Sequence, residues 1–374
     1  MKFICLQENL KRGLNIVGHV TSKNINLPIL NNILIKAEEG NIEFISTNLE
    51  IGITHQVRGK IESDGQFTVD SKLIGEYVNL LSGGEKVKAE VKDNELKIEC
   101  GNYKTRIKGE FSKEFPLIPT VPRSGYYSCK SGELKKALNS VVFSVSTSEN
   151  RIELTGVLFS FGKDELSLAA TDSYRLAERE IAIKTNEMSG DQKIIVPAKT
   201  IQELLRVLNN LEGGELGEDQ ELKFYLAENQ ILFTVDSVEL ISRLINGHYP
   251  DYKQIIPTKS QTEILVERVE LVRAVKAAAL FSKTGINDIT ILLSKEKMII
   301  SSFSGASGES QIELDAEIKG GDNEITINYR YLLDGLNNIE GEIVRLGIIN
   351  NTTPCVLRPE KDNSYLYIVM PIRQ

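Results

Sequence analysis

The alternation of apolar and polar positions recurs three times along the chain. Three segments begin alike: "FICLQENLKRGLN" from Phe3, "YSCKSGELKKALN" from Tyr127 and "ILVERVELVRAVK" from Ile264. In each, a short alternating run precedes apolar residues at helical spacing, as in the second copy at Leu134, Ala137, Leu138, Val141 and Val142. Alternation is typical of a half-buried strand, and i, i+3, i+4 spacing is typical of an amphipathic helix. Each copy therefore predicts a strand that leads into a helix.

A second helix is predicted in every copy. The segments "VDSKLIGEYVNLL" from Val69, "VPAKTIQELLRVL" from Val196 and "INYRYLLDGLNNI" from Ile327 align with one another. Alternating runs such as "IEFIST", "LSLAAT" and "MIISSF" predict strands, and glycine-containing turns are predicted at "SGGEK", "LEGGELGED" and "IKGGDNE". The pattern predicts an α+β fold of three similar domains, each with two helices and two groups of antiparallel strands.

Proline-punctuated extended stretches close the first two copies. These are "EFPLIPTVP" at 114–122 and "HYPDYKQIIP" at 248–257, and the chain ends in "YIVMPIRQ". Prolines favour extended backbone in the residue before them, as expected of linkers between domains. We expect domain boundaries that give 1–123, 124–258 and 259–374.

Basic residues recur at fixed places on the predicted helices. Arg12, Lys136 and Arg273 align on the first helix of each copy, and Lys72, Lys199 and Arg330 align on the second. Helix surfaces commonly carry such residues, but the sixfold repetition makes chance a weak explanation. Further basic residues lie on or beside these helices, at Lys11, Lys135, Arg206, Lys276 and Lys283. A line of cations would attract a polyanion without reading bases.

Composition limits the class of protein. The 374 residues are 41% hydrophobic and 26% charged, with a net charge of -8, and no apolar run approaches the ~18 residues of a membrane span. The N-terminus "MKFICLQENL" lacks the features of a signal peptide, so we expect a cytoplasmic protein and not a secreted adhesin-like repeat protein. The cysteines show no CxxC pair and are expected to be buried free thiols, at Cys5, Cys100, Cys129 and Cys355.

No established catalytic motif is present in the sequence. The three histidines, His19, His55 and His248, lack metal-binding spacing, and the sequence contains no GxSxG, GxxxxGK[ST] or GxGxxG motif, so no metal or cofactor is expected. The glycine-rich "SGGEK" at 82–86 predicts a hairpin turn. Asp172 and Asp251 could act as acid and base, as in glycoside hydrolysis, or each could cap a turn by accepting backbone N–H bonds. The alternative hypothesis for function, a three-unit enzyme of polysaccharide or nucleotide metabolism that uses Asp172 and Asp251, depends on the first of these roles.

Several motifs together resemble the bacterial DNA sliding clamp, the β subunit of DNA polymerase III. They are the opening "MKF", "LPILNNILI" at 27–35, "ATDSYRLA" at 170–177, "YPDYKQIIP" at 249–257 and the terminal "VMPIR". The resemblance covers the whole chain. It implies a non-catalytic processivity factor in which two three-domain crescents join head to tail. Helices would line a hole that holds duplex DNA, and sheets would form the outside. Loading would need a separate ATP-driven clamp loader.

The resemblance also implies two sets of site residues. A cleft between the second and third domains would bind short peptides from the polymerase III catalytic subunit, other polymerases, the clamp loader, ligase and mismatch-repair proteins. Arg175 and Arg373 would frame its rim. The cleft would comprise Leu154, Thr171, Ser173, Tyr174, Arg175, Leu176, Pro250, Ile255, Asn328, Tyr331, Thr352, Pro354, Met370, Pro371, Ile372 and Arg373. The DNA-facing residues would be Lys11, Arg12, Lys23, Lys72, Lys135, Lys136, Lys199, Arg206, Arg273, Lys276 and Arg330. Ser173-Tyr174, Gln254 and Gln374 depart from the Gram-negative family pattern.

Overall fold

The computed structural model describes residues 1–21, 26–188, 191–212, 220–294 and 297–372. The chain divides into two units. Unit 1 contains Met1–Lys135, Ile183–Ser189 and Lys199–Leu244, and unit 2 contains Lys136–Ala182, Gly190–Ala198 and Ile245–Gln374. The middle third of the sequence therefore contributes chain to both units.

The described residues form six α-helices, at the places that the apolar spacing predicts. They are α1 (Gln7–Val17), α2 (Ser71–Asn79), α3 (Ser131–Val142), α4 (Ala198–Glu212), α5 (Arg268–Ala279) and α6 (Tyr329–Asn338). Two of them start at a capping side chain: Asp70 accepts a bond from the N–H of Leu73 at 2.7 Å, and Asn328 accepts one from the N–H of Arg330 at 2.9 Å. Such caps satisfy backbone donors that have no partner within the helix.

Strands occupy most of the remaining chain. They are β1 (Lys2–Leu6), β2 (Asn32–Glu38), β3 (Asn41–Thr47), β4 (Ile51–Val57), β5 (Gly59–Ser63), β6 (Gly65–Asp70), β7 (Lys86–Lys92), β8 (Glu95–Cys100), β9 (Tyr103–Glu110), β10 (Tyr126–Lys130), β11 (Gly156–Phe161), β12 (Glu165–Thr171), β13 (Arg175–Ala182), β14 (Lys184–Asn186), β15 (Gln192–Pro197), β16 (Glu221–Ala227), β17 (Gln230–Val235), β18 (Val238–Arg243), β19 (Thr262–Glu267), β20 (Asp288–Leu293), β21 (Met298–Ser304), β22 (Gly308–Leu314), β23 (Ala316–Gly320), β24 (Asn323–Asn328), β25 (Ile343–Ile348), β26 (Cys355–Pro359) and β27 (Tyr365–Val369).

Unit 1 contains one continuous antiparallel sheet. Its strand order is β14-β10-β16-β17-β18-β4-β3-β2-β6-β9-β8-β7-β1-β5. The pairing of β18 with β4, in which Leu240 lies opposite Ile53, joins strands from the first and the middle thirds of the sequence. Segment 82–86 connects α2 to β7, and the N–H of Gln7 donates to the Glu85 carbonyl at 2.9 Å. The predicted hairpin turn there is therefore wrong, because Gly83 and Gly84 lie in the loop between α2 and β7 and not between two paired strands.

Unit 2 contains two antiparallel sheets. The larger has the order β15-β11-β12-β13-β27-β26-β25-β19-β23, and the smaller has β22-β21-β20-β24. The pairing of β13 with β27, in which Ala177 lies opposite Tyr367, joins strands from the middle and the last thirds of the sequence. The pair β13 and β27 thus joins two thirds of the sequence in unit 2 in the same way that the pair β4 and β18 does in unit 1.

Two helix glycines let helices approach the sheets closely. A Cβ on Gly13 of α1 would lie 2.7 Å from Val57 Cγ2 and 2.9 Å from Phe44 Cδ2, and a Cβ on Gly335 of α6 would lie 2.2 Å from the Tyr367 ring. Real Cβ atoms do not come so close, because protein interiors are packed to the density of organic crystals. Gly13 and Gly335 therefore set the distance between helix and sheet in their units.

All four cysteines are free and buried, which confirms the expectation for them. Burial raises the pKa of Cys5 and Cys355 to about 12, since an apolar surrounding disfavours the thiolate. No helix in the described part of the chain is long and apolar enough to cross a membrane.

Candidate functional site

The segment Thr171–Arg175 forms a tight turn between β12 and β13. Asp172 Oδ1 accepts bonds from the N–H of Tyr174 at 2.9 Å and of Arg175 at 3.0 Å. The Thr171 hydroxyl donates to the Arg175 carbonyl at 2.6 Å and accepts from the N–H of Ser173 at 3.1 Å. Ser173 has a φ of 78°, which places it in the left-handed region. These bonds fix the direction in which the Tyr174 and Arg175 side chains leave the turn.

Asp172 is thus the turn cap that the sequence allowed as one alternative. Asp251 differs from the expectation: its side chain caps no backbone N–H and accepts from Gln254 Nε2 at 2.8 Å. Within the described ranges, no three His, Cys, Asp or Glu side chains are grouped closely enough to hold a metal ion. The acid and base pair required by the enzyme hypothesis therefore has no support in the geometry, since Asp172 is committed to its own turn.

Arg175 is enclosed by side chains from three elements. Its Nε donates to Asp172 Oδ2 at 3.0 Å and its Nη1 donates to Asp334 Oδ2 of α6. Its guanidinium carbon lies 4.8 Å from the Tyr331 ring centroid and 5.7 Å from that of Phe143. Only 12% of the side chain is exposed. Arg175 therefore ties the turn to α6, in contrast to the expected open rim.

Tyr174 and Tyr331 form an aromatic platform beside this arginine. Their ring centroids are 6.3 Å apart with an angle of 17° between planes, and Tyr174 is 62% exposed. Tyr331 is held by the Tyr367 hydroxyl, which donates to the Tyr331 carbonyl at 2.8 Å. The Met370 N–H donates to the Tyr174 carbonyl at 2.9 Å. Tyr174 thus presents a largely exposed ring, whereas the Tyr331 ring is partly covered by Arg175 and Tyr174.

The segment Tyr249–Ile256 closes the other side. Tyr252 is buried with Leu176 and Leu366, and its hydroxyl donates to Glu178 Oε2. Burial raises the pKa of the Tyr252 phenol well above its ordinary value, because the apolar surrounding disfavours the phenolate. Ile255 is 43% exposed on the surface of this segment. We call the surface made by this segment with Tyr174, Tyr331 and Met370–Ile372 the first groove.

The predicted cleft residues divide into buried ones, ones whose side chains bond within their own segment, and partly or fully exposed ones. Leu154, Thr171 and Leu176 are buried and support the groove from below. The Asn328 side chain is occupied as the cap of α6, and Thr352 donates to Asn350 Oδ1 at 2.9 Å in the turn before β26. The partly or fully exposed members are Tyr174, Pro250, Ile255, Tyr331, Pro354, Met370, Pro371 and Ile372. Arg373 lies outside the described residues.

Sequence reasoning missed the residues that enclose Arg175. Asp334 occupies the same place in its segment "INYRYLLDGLNNI" as Glu76 and Glu203 do in the other second-helix segments, and this recurring acid was the available signal. Phe143, just after α3, and Tyr367, in β27, are far from the turn in sequence and carried no local signal.

Most of the predicted DNA-facing side chains are exposed on the helices. Lys72 lies 3.8 Å from Glu76 and Arg273 lies 2.7 Å from Glu270, each within its own helix. Such exposed pairs hold their cations weakly, since water competes with the carboxylate. The exposed members are Lys11, Lys72, Lys136, Lys199, Arg273, Lys276 and Arg330, with Lys283 beyond α5. Arg12 and Lys135 are half-buried, and Lys23 lies outside the described residues.

Arg206 differs from this set. Its Nη1 and Nη2 donate to the carbonyls of Asn15 and Ile16 at 2.7 and 2.6 Å, and its Nε donates to Glu203 at 2.9 Å. Carbonyls in the last turn of a helix lack partners within the helix and attract cations. The guanidinium is therefore committed to the end of α1, which makes a structural role the better explanation for this residue.

Comparison with known proteins agrees with the fold and the motifs. Family models of the DNA polymerase III beta subunit match its N-terminal domain at 1–119, its central domain at 128–251 and its C-terminal domain at 253–373. The chain is 28% identical to the beta sliding clamp of Staphylococcus epidermidis over 383 aligned positions, which cover 100% of this chain and 99% of that protein.

Solved structures give the same result. A crystal structure of the DNA polymerase sliding clamp from Bacillus subtilis matches with a TM-score of 0.91 at 27% identity, covering 100% of this chain and 99% of that one. A sliding clamp from Pseudomonas aeruginosa, bound to griselimycin, matches with a TM-score of 0.93 at 25% identity and complete coverage of both chains. The chain therefore belongs to the DNA polymerase III beta subunit family, the three-domain sliding clamps that serve as accessory processivity factors of DNA polymerase and are not catalysts.

Proposed function

We propose that two copies of this chain close head to tail into a ring around duplex DNA. The ring holds a polymerase on the DNA in the cytoplasm. The observation that carries the proposal is the recurrence of exposed cations on the first and second helix of each copy in a chain of net charge -8. Contacts to phosphates supply affinity without sequence readout, and few weak contacts permit sliding. The acidic remainder of the surface limits binding of DNA elsewhere. In this proposal the domains are 1–123, 124–258 and 259–374.

The strand pairing inside the chain also indicates how two copies would join. Strand β4 pairs with β18, and β13 pairs with β27. By the same repeat, β22 corresponds to β4 and β13, and it lies at the edge of its sheet. Strand β9 corresponds to β18 and β27 as the last strand of its hairpin, and it pairs with β6 only at Gly109 and Glu110. We therefore assign the subunit contact to β9 of one copy and β22 of the other.

The charges of these two strands are complementary. Exposed Lys104 and Arg106 lie on β9, and exposed Glu309 and Glu313 lie on β22. Like charges on facing strands destabilise pairing, and opposite charges favour it. Sedimentation of Lys104→Glu/Arg106→Glu and of Glu309→Lys/Glu313→Lys should show a monomer for each variant alone and a dimer for the mixture. Two stable homodimers would contradict the assignment.

The first groove is proposed as the site for partner peptides. The exposed Tyr174 ring, stacked on the partly buried Tyr331, offers adaptable apolar contacts together with Met370 and Ile255, and the fixed turn supplies a rigid wall. The partners proposed are the polymerase III catalytic subunit, the clamp loader, other polymerases, ligase and mismatch-repair proteins. A Tyr174→Ala variant should lose peptide affinity about tenfold or more, because stacked aromatic contacts at a groove centre are typical hot spots.

Topological linkage to DNA is the decisive property. Labelled protein is loaded onto a nicked circular plasmid with its loader, and retention is measured before and after the plasmid is linearised. Loss upon linearisation alone supports a ring, and equal retention on both forms would contradict it.

Charge reversal at Arg12, Lys136 and Arg273 together should slow loading and weaken retention without preventing dimer formation. The matched control reverses three exposed strand lysines, Lys60, Lys184 and Lys319, and changes the net charge equally. If both triple variants behave alike, net charge and not the helix surface controls DNA binding.

A further inference from the structure

The turn at the first groove has a close structural copy in unit 1. Segment Thr47–Ile51 connects β3 to β4 as Thr171–Arg175 connects β12 to β13. The Thr47 hydroxyl donates to the Ile51 carbonyl at 2.8 Å and accepts from the N–H of Leu49 at 3.0 Å. Asn48 Oδ1 accepts from the N–H of Glu50 at 3.0 Å and of Ile51 at 2.8 Å. Each of the four bonds has its counterpart in the other turn, within 0.2 Å in length.

The surroundings of the two turns correspond as well. Leu49 has a φ of 75°, and Ser173 has 78°. The Arg243 N–H donates to the Glu50 carbonyl at 3.0 Å, as the Met370 N–H donates to that of Tyr174. A linker begins Phe115-Pro116 beside one turn and Tyr249-Pro250 beside the other. Turn, neighbouring strand end and linker thus form a second groove, defined by Leu49, Ile51, Pro116, Leu117, Ile118 and Arg243.

The second groove presents apolar side chains to solvent. Leu117 is 96% exposed between two prolines of the linker, and Leu49 is 44% exposed. A leucine in the left-handed region is an uncommon and strained arrangement, and such strain concentrates at binding sites. Gly52 forms part of the floor between Ile118 and Ile241, where a Cβ would meet a methyl of each at 3.0 Å. Exposed leucines over an apolar floor are suited to receiving an apolar side chain.

The size and the charge of the groove identify its occupant. The cavity measures about 180 Å³, which is below the roughly 300 Å³ at which sites for whole small molecules begin. It therefore suits one or two side chains of a peptide. Arg243 and Glu50 are the charged residues of the lining, and both are exposed. Among the described residues, the Arg243 side chain has no ion pair, and it is therefore not neutralised by Glu50. A guanidinium binds a carboxylate through two parallel bonds, so an acidic residue beside the apolar anchor complements this edge.

We propose that the second groove is a separate docking site for a partner segment that is extended and carries a large apolar side chain next to an acidic one. The proposal deepens the proposed function and rests on it in one respect, that the equivalent first groove binds peptides. It differs in specificity, because Glu50 and Ile51 stand at the positions of Tyr174 and the enclosed Arg175. The exposed Arg243 stands at the position of Met370. A partner with two such segments would bind one clamp subunit at both grooves and gain affinity by avidity.

The test uses the full-length protein with ¹³C-labelled leucine methyl groups. The probe is the synthetic peptide acetyl-Gly-Leu-Phe-Asp-Gly-amide, and the comparison peptide carries lysine in place of aspartate. Leu49 and Leu117 report on the second groove, while Leu154 and Leu176 report on the first. We expect saturable methyl shifts at Leu49 and Leu117 with the aspartate peptide and at least tenfold weaker binding of the lysine peptide. Arg243→Glu should reverse that preference.

Two leucine variants test the position of the site. Leu117→Asp should weaken binding at the second groove at least tenfold, because it places a charge where the anchor sits. The matched control is Leu80→Asp, since Leu80 is 78% exposed beyond α2 in the same unit, and it should leave binding unchanged. Because both leucines are exposed, both variants should fold normally.

The remaining outcomes overturn the proposal in distinguishable ways. Shifts confined to Leu154 and Leu176 would mean that peptides bind the first groove alone, which leaves the proposed function intact. Absence of shifts at both grooves would count against both. Shifts at Leu49 and Leu117 that appear without peptide as protein concentration rises would identify a second copy of the chain as the occupant.

Discussion

Removing the Arg175 side chain should loosen the turn of the first groove without unfolding unit 1. Arg175→Ala loses three interactions. The bond to Asp172 is charge-assisted and enclosed and contributes ~1.5–3 kcal/mol. The half-exposed pair with Asp334 contributes up to ~1 kcal/mol, and the contact with the Tyr331 ring contributes ~0.5–1 kcal/mol. The sum is about 3 kcal/mol. A loss of this size raises the equilibrium constant for local opening of the turn ~100-fold.

Hydrogen exchange measures this opening directly. The reporters are the N–H groups of Tyr174 and Arg175, which donate to the Asp172 carboxylate, and the N–H of Met370, which donates to the Tyr174 carbonyl. Their exchange rates should rise ~100-fold in Arg175→Ala, while amides of unit 1 keep their rates. Arg175→Lys should raise these exchange rates nearly as much, because a lysine ammonium group cannot bridge two carboxylates and also lie flat on an aromatic ring.

An exposed ion pair of unit 2 provides the control. Lys297 lies 2.8 Å from Glu313, and both side chains are more than half exposed. Lys297→Ala should change exchange at the turn by less than about twofold, since exposed pairs contribute little. If Arg175→Ala likewise leaves the three reporter amides within threefold of wild type, the turn is held by its own backbone bonds and the enclosure of Arg175 is incidental.

The remaining predictions test burial and packing. His55 is 4% exposed, and burial together with the charge of Arg12 lowers its pKa to about 4, so the unfolded chain takes up the proton first as pH falls. Stability should therefore fall by ~1.4 kcal/mol between pH 7.5 and 5.5, a loss that His55→Gln removes and that urea unfolding measures. Gly335→Ala should destabilise unit 2 by ~2 kcal/mol or more, because the added Cβ clashes with Tyr367. The control Gly75→Ala in α2 has open space around it and should stabilise unit 1 by up to ~1 kcal/mol. Equal effects of the two variants in thermal unfolding would refute the close approach of α6 to the sheet. The four buried thiols should react with a thiol reagent only after denaturation, and rapid reaction in the native protein would contradict their burial.

Local periodicity accounted for the secondary structure. Helices α1, α3 and α5 follow strands directly, as the three copies of the pattern indicated, because the spacing of apolar residues depends only on neighbours a few positions away. The turn at Asp172 was also foreseeable, since an aspartate just after a strand bonds to backbone within three residues. The hairpin expected at 82–86 is wrong because a glycine-rich turn serves a loop between a helix and a strand as readily as one between two strands.

The functional surfaces were predicted in part. The motif "ATDSYRLA" located the first groove in the chain, and Tyr174 lies on its surface. It did not show that Arg175 is enclosed, because its partners Asp334 and Tyr331 come from a helix more than a hundred residues away. Likewise, the aligned basic positions did not distinguish Arg206, which is bound to the end of α1, from the cations that remain exposed.

By itself, the sequence determined the threefold repeat, the α+β class, the family and the helices that carry basic residues. All of these depend on residue identity and short-range spacing, which are present before the chain folds. Only the tertiary structure decided which charges are neutralised, which apolar side chains stay in solvent and which turns share one geometry, since those properties arise from contacts between distant segments. The second groove illustrates the difference. "TNLEI" and "TDSYR" share little sequence, yet the same four hydrogen bonds shape both turns, because a hydroxyl and a side-chain carbonyl or carboxylate oxygen at fixed positions are all that the turn requires.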